Sequence, residues 1–391
     1  MKLLLSLLLS IAGLHAGSMP LASYLTAVEA SNALNALNAK SAAETALQRS
    51  QVQSEGLFLN GQLGYAAEKQ GSRDAFEYHL SVEKRFLLGN SGNYADALEL
   101  SKQKQQKLQL NRLRTVVYEH YVNACALQEK TGLLQDAQER NVALTQLIGE
   151  GVRGGEFDRS ALLRSELIVD ELQLRIRELE SRYYEALQTL QLYTSKEEEP
   201  FCQDLPFSVS LQDDLEADSL LYRYLENEIA ASSALKAFHG TALKEISVGV
   251  GYDNEMDLTR GIVFMQIPLS QGSRRESERE AAAQSKLAAQ QQLLFAKAEM
   301  QAQIRSYKKA QQTRLKTYQR LNDILIPTAY ETSVLLLERF MGSEGSYLAY
   351  IESQKTLFDL LIRGIDTRAD TLLAQARLYR TLGIDPQKDI K

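Results

Sequence analysis

Residues 245–253 read EISVGVGYD. Ile246, Val248, Val250 and Tyr252 alternate with Ser247, Gly249, Gly251 and Asp253, the period-two pattern of a strand with one apolar face. With only small or polar residues opposite, that pattern fits a wall that meets lipid on one side and water on the other. The chain turns and returns as GIVFMQIPLSQG (261–272), where four consecutive apolar residues, Ile262 to Met265, leave the outward face open. Upstream, LFLNGQLGYAA (57–67) and AFEYHLSVEKRF (75–86) flank a Gly- and charge-bearing turn and read as another hairpin, with Phe76, Tyr78, Leu80 and Val82 on one side. Strands are therefore placed at about 57–66, 75–86, 244–253 and 260–269. Two hairpins cannot close a barrel, and an open sheet edge does not survive in lipid. If these strands span a membrane, other chains must complete the sheet. The competing reading is a soluble mixed sheet packed on helices.

Helical pattern fills the rest of the chain, in the same order twice. After the first hairpin a helical hairpin is expected over 93–193, broken at GEGVRGGEF; after the second, one over 274–382, broken at FMGSEGS. Gly64-Tyr65 matches Gly251-Tyr252 at an offset of 187, and Gly155-Glu156 matches Ser343-Glu344 at 188. Such spacing marks an internal duplication. The boundaries that follow are a first repeat over 17–195, a connector over 196–212, a second repeat over 213–383 and a loose tail over 384–391. The helices leading to the two breaks would each reach roughly 80–100 Å. Ile351, Phe358, Ile365, Leu372 and Tyr379 recur every seven residues, as do Leu162, Val169, Ile176, Tyr183 and Leu190, which calls for coiled-coil packing on neighbouring helices.

The composition of all 391 residues narrows the function. A net charge of -6, with no basic cluster, argues against nucleic acid as a partner. Four scattered histidines and two distant cysteines give no metal ligand set and no disulfide framework, so Cys125 reads as a buried thiol or a reduced bystander and no bond to Cys202 is expected. No phosphate loop, nucleophile elbow or zinc motif occurs, and pairs such as Glu276 and Glu280 read as i,i+4 surface partners of neighbouring arginines. Catalysis and cofactors are not expected. Residues 1–16 carry Lys2, the apolar run Leu3 to Leu14 and a small-residue site at Ala16, the layout of a secretory signal too short to span a bilayer.

With these features assembled, the chain resembles the TolC family of outer-membrane efflux proteins. The strand end IPLSQGSR (267–274) is similar to the family's strand-to-helix junction, with Ser270 in place of the usual aromatic. SEGSYLAYIESQKTLF (343–358) is similar to the family's second tip motif, Ser343 standing for the usual Gly, and GGEFDRSALLRSEL (154–167) is its first-half counterpart. The resemblance implies a mostly α fold with a small β part. A duplicated hairpin and long-helix unit would assemble as a homotrimer with a 12-stranded transmembrane β-barrel, continued by a periplasmic α-helical barrel. Its partners would be outer-membrane lipid, a periplasmic adaptor (membrane fusion) protein and an inner-membrane pump of the resistance-nodulation-division type. The location would be the outer membrane of a Gram-negative bacterium.

Three groups of residues are singled out. Gly154, Gly155, Gly342, Ser343 and Gly345 mark the two helix-breaking turns; glycine reverses a chain cheaply, and the resemblance adds adaptor docking. Glu352 aligns with one acidic aperture position of the family, while Ala349 stands at the other. Its alternative is a surface pair with Lys355. Ile246, Val248, Val250 and Tyr252 form the lipid-facing strand. The function expected is a passive outer-membrane duct of a tripartite efflux system. The alternatives are a periplasmic coiled-coil scaffold or adaptor, and the duct of a type I protein secretion system.

Overall fold

A computed structural model describes residues 18–50, 56–67, 74–88, 91–204, 219–240, 245–255, 258–267, 272–342 and 346–389. The expected signal segment, Ser270, Ser343, Glu344, Gly345 and positions 205–212 of the connector lie outside the described residues. What is described is mostly helical with a small strand part. It divides into two compact units, one made of Met1–Ala36, Gln109–Ser219 and Glu299–Lys391, the other of Leu37–Leu108 and Leu220–Ala298. Among the described residues no helix is long and apolar enough to cross a membrane.

The first unit begins with β1 (Ser18–Met19) and α1 (Leu21–Ala27), followed by α2 (Asn32–Ser50), of which only the start belongs here. Its long helices are α3 (Ser91–Gly154), which belongs here from Gln109 onward, α4 (Arg159–Thr194), α7 (Ile326–Met341) and α8 (Tyr347–Leu382). The 36 residues of α4 contain no Gly or Pro, so nothing interrupts its hydrogen-bond ladder. Its heptad residues Ile176 and Leu190 are buried, as are Ile365, Leu372 and Tyr379 of α8. The central core joins Leu21, Tyr24, Leu25 and Val28 to Val117, Tyr121 and Ala124 of α3, to Leu190 of α4 and to Leu372 of α8. Burial, with Glu198 and Glu199 nearby, pushes the Tyr24 hydroxyl up to about 12.

Two expectations are overturned here. Cys125 and Cys202 form a disulfide, with Cα atoms 5.2 Å apart. They are 77 residues apart in sequence, and what unites them is backbone pairing that no local pattern announces. The connector strand β4 (Glu199–Pro200) lies parallel to β1, with Ser18 opposite Glu199. Phe201 N donates to Met19 O at 2.9 Å, and Tyr121 Oη, one helical turn from Cys125 on α3, donates to Phe201 O at 2.6 Å.

The tail is not loose either. Ile384 is buried, and Pro386–Asp389 forms a 3₁₀ turn. The buried Arg114 guanidinium holds Asp385 (Nη1 to Oδ2, 2.6 Å) together with Glu29 and, through Nε, the Leu25 carbonyl at 3.3 Å. A buried arginine needs such partners, because leaving the charge unpaired costs several kcal/mol. The charged sequence DPQKD conceals this, since its fixing partner lies 271 positions upstream.

A third difference concerns the second long helix. Instead of running unbroken, α6 (Gly272–Arg320) gives way to a π turn, Leu321–Leu325, before α7. In the second unit, α5 (Leu220–Gly240) packs Phe238 against Tyr94 and Leu98 of α3. The rest of that unit is the four-stranded sheet.

Candidate functional site: an inverted strand face and paired helical tips

The sheet consists of β2 (Leu57–Ala67), β3 (Asp74–Leu87), β5 (Glu245–Glu255) and β6 (Leu258–Gln266), all antiparallel and in the order β2-β3-β5-β6. Val250 pairs with both Val82 and Val263. Register therefore aligns the apolar residues of all four strands on one face. β6 obeys the same alternation: Val263 and Met265 join the apolar face, while Ile262 and Phe264 point the other way. Phe264 covers Gly249, where a Cβ would lie 2.3 Å from the ring. That is why β5 carries glycine at this position.

The burial of the two faces is the reverse of a water-soluble sheet. On the apolar face Leu63 is 84% exposed, Val263 79% and Val250 57%; on the polar face Ser81 is 3% exposed and Asp253 7%. Val248 and Tyr252 are exposed with Val250, and Ile246 is half-buried. The polar face holds a row across the strands, Gln62, His79, Asp253 and Arg260. His79 Nδ1 contacts Asp253 Oδ1; Arg260 Nε reaches Asp253 Oδ2 at 3.2 Å and its Nη2 reaches Glu255 at 2.9 Å. Nearby, Glu83 accepts from Asn60 Nδ2 at 3.4 Å and Arg85 Nε at 3.3 Å. Among the described residues, β2 and β6 are the open edges of this sheet.

The tips are built by α3, α4, α7 and α8. Gly155 has φ of +78°, a left-handed conformation that favours glycine. Glu156 N then donates to Gly151 O at 2.8 Å, closing the turn. Gly154 has open space: a Cβ there would meet nothing closer than Glu156 Cγ at 4.0 Å. Gly342 ends α7, its N–H on Glu338 O, and a Cβ would sit 3.3 Å from that oxygen. Sequence reading missed what joins the two turns. Phe157 stacks on Phe340 with ring centroids 5.2 Å apart, and Phe340 meets Tyr347 at 5.5 Å and Tyr350 at 6.5 Å, over Leu144 and Ile148. Burial pushes the Tyr347 and Tyr350 hydroxyls up. The available signal was an aromatic residue flanking each glycine turn, at 157, 340 and 347.

Glu352 is exposed on the second turn of α8. Among the described residues it makes no ion pair, Lys355 included. Lys355 instead lines a cavity of about 80 Å³ with Phe358, Leu172 and Leu134. No group of His, Cys, Asp or Glu among the described residues is arranged to hold a metal ion.

No family model and no curated protein sequence matches the chain. Solved structures do. The Vibrio cholerae outer membrane protein VceC superposes with a TM-score of 0.75 at 11% identity, covering 93% of this chain and 96% of that one. The Campylobacter jejuni CmeC outer membrane channel gives 0.74 at 11%, covering 93% and 85%. The open state of the Neisseria gonorrhoeae MtrE outer membrane channel gives 0.70 at 14%, covering 93% and 88%. The chain has the fold of these outer-membrane channels.

Proposed function

We propose that this chain is the outer-membrane duct of a tripartite efflux system. Three copies would close a twelve-stranded barrel from four strands each, continued by a helical tunnel in the periplasm. The duct itself is passive: an inner-membrane pump of the resistance-nodulation-division type supplies the energy, and a periplasmic adaptor connects the two. The observation that carries this reading is the inverted sheet. An apolar face this exposed is costly in water, whereas in lipid it is the stable outer surface and the polar row lines the lumen. Open edges at β2 and β6 fit the same reading, because each is where a neighbouring chain would pair. A periplasmic scaffold with a soluble β-domain would have to cover Leu63, Val250 and Val263, which lie exposed. Membrane fractionation tests the assignment: the protein should require detergent and run as a trimer resistant to mild denaturation. Recovery as a soluble monomer overturns it.

The tip turns are the adaptor-docking surface in this reading. Gly154→Phe is the clean test, since the open space at that position accepts a side chain without disturbing the turn. Export should fall about tenfold or more, the loss of one well-placed contact, with trimer yield unchanged. Gly342 is a poorer probe, because bulk there presses on the Glu338 carbonyl. Undiminished export in Gly154→Phe would mean that the turn only reverses the chain.

Glu352 is the aperture candidate. If its exposed carboxylate faces the threefold axis, three copies ring a narrow pore and attract cations. Glu352→Gln should then lower cation selectivity and relieve block by multivalent cations in planar bilayers. The effect should be smaller than for two acidic rings, since Ala349 occupies the other position. Unchanged selectivity and block remove the ring and leave the duct.

A further inference from the structure

The bond between Cys125 and Cys202 needs an electron acceptor, because two thiols join only by losing two electrons and two protons. The two sulfurs stand in different surroundings. Cys125 lies on α3 with 3% of its surface exposed, inside the core it shares with Tyr121, Val122 and Leu190. Cys202 is half-buried and opens the short 3₁₀ turn Cys202–Asp204, beside the exposed Gln203. A sulfur of another protein can approach Cys202 from solvent, whereas Cys125 is open only to its neighbours in the core.

Contacts that involve neither sulfur bring the two cysteines together. β4 pairs with β1, Phe201 N donates to Met19 O, and Tyr121 Oη donates to the Phe201 carbonyl, one residue before Cys202. The connector is thereby held against α3 in the position the bond requires. The span it closes holds the rest of α3, the first tip turn and α4, so the bond staples the base of the first helical hairpin. The second hairpin has no such staple. Under the 188-residue offset Cys125 corresponds to Thr313, and the end of α8 is tied to α3 by the Arg114–Asp385 pair and by Asn111 Nδ2 on Gly383 O at 2.8 Å. Those ties need no oxidant.

We propose that this chain is a substrate of a dithiol–disulfide oxidase of the cell envelope, with Cys202 as the cysteine the oxidase engages and Cys125 as the resolving one. The Cys202 thiol gives up its proton and its sulfur attacks one sulfur of the oxidase's disulfide. That S–S bond breaks, and the oxidase's second sulfur leaves with the electron pair and takes up a proton. Cys125 then gives up its proton and attacks Cys202 Sγ. The mixed disulfide breaks, and the oxidase's first sulfur leaves and is protonated. Two thiols of this chain are oxidised to one disulfide, and the oxidase's disulfide is reduced to a dithiol. The supply of assembly-competent subunits is thereby coupled to the oxidising capacity of the envelope. This route rests on the envelope location contained in the duct reading, since a reducing cytosol would leave both thiols free.

The test is to express the full chain in Gram-negative cells with and without their periplasmic dithiol oxidase, block free thiols at lysis, and compare non-reducing gels. With the oxidase the wild type should be oxidised; without it, the chain should be mostly reduced and trimer recovery should fall several-fold. The double variant Cys125→Ala with Cys202→Ala should give the same trimer recovery in both strains. Cys125→Ala alone should accumulate a reductant-sensitive covalent adduct with the oxidase, at about ten times the level seen in Cys202→Ala. An adduct as abundant in Cys202→Ala overturns the assigned order of the two cysteines. Equal loss of trimer from the wild type and the double variant overturns the coupling to subunit supply. A wild type oxidised to the same extent in both strains overturns the oxidase and leaves the duct standing. Free thiols in both strains mean that the chain never met an oxidising compartment, which overturns the envelope location and the oxidase together.

Discussion

Replacing Val248 and Val250 by arginine together is expected to abolish outer-membrane assembly. Both side chains are exposed on the apolar face of β5, at the centre of the sheet. An arginine at mid-bilayer costs about 2–4 kcal/mol, less toward the interfaces, and a trimer would carry six. The control is the same residue on the opposite face. Asn60→Arg places its guanidinium beside Glu83, which already accepts from the Asn60 amide, so trimer recovery should stay near wild type. Gly249 is no control, because any side chain there collides with Phe264. Heat-modifiable trimer in the membrane fraction is the measurement. Equal recovery from both faces would falsify the lipid-facing assignment.

The second large effect concerns the disulfide. Cross-linking Cys125 to Cys202 closes a 77-residue span, and in the chain-entropy account a loop that long stabilises by about 4.5 kcal/mol. Cys125→Ser with Cys202→Ser, or a reductant on the wild type, should lower the thermal midpoint of the purified protein markedly. The losses should coincide, and the reductant should do nothing to the double variant. Limited proteolysis should then cut first near 199–204, where β4 is only two residues long. Identical midpoints with and without reductant would show that the β1–β4 pairing and the Tyr121 bonds hold the connector unaided.

The sequence displays local periodicity well and long-range pairing poorly. The alternation at 246–252 is readable because every second side chain takes the same environment. Ile262 to Met265 were unreadable, since Phe264 and Ile262 are apolar yet sit on the polar face, Phe264 filling the space left by Gly249. Heptad rows show where α4 and α8 are buried, and Gly383 announces the end of α8 through its left-handed φ of +69°. The fixed tail was hidden because Asp385 depends on Arg114, and the disulfide because β4 finds its partner only in the folded chain. At the tips the glycines were legible as turns, whereas the Phe157–Phe340 stack requires two distant hairpins to meet. The π turn was the avoidable omission: Pro327 stands in plain view inside a helical pattern.

If the chain is the trimeric duct proposed above, the β2 and β6 edges, unpaired among the described residues, have a kinetic consequence. A single-chain barrel can satisfy every strand by itself, so its insertion is first order in protein. In that duct a lone subunit would have nowhere in hydrocarbon to put two rows of unbonded amides and carbonyls. Encounter between subunits must therefore precede or accompany entry into the bilayer. The route to the finished pore then depends on subunit concentration more steeply than the first power, and a scarce subunit remains on the aqueous side for want of company.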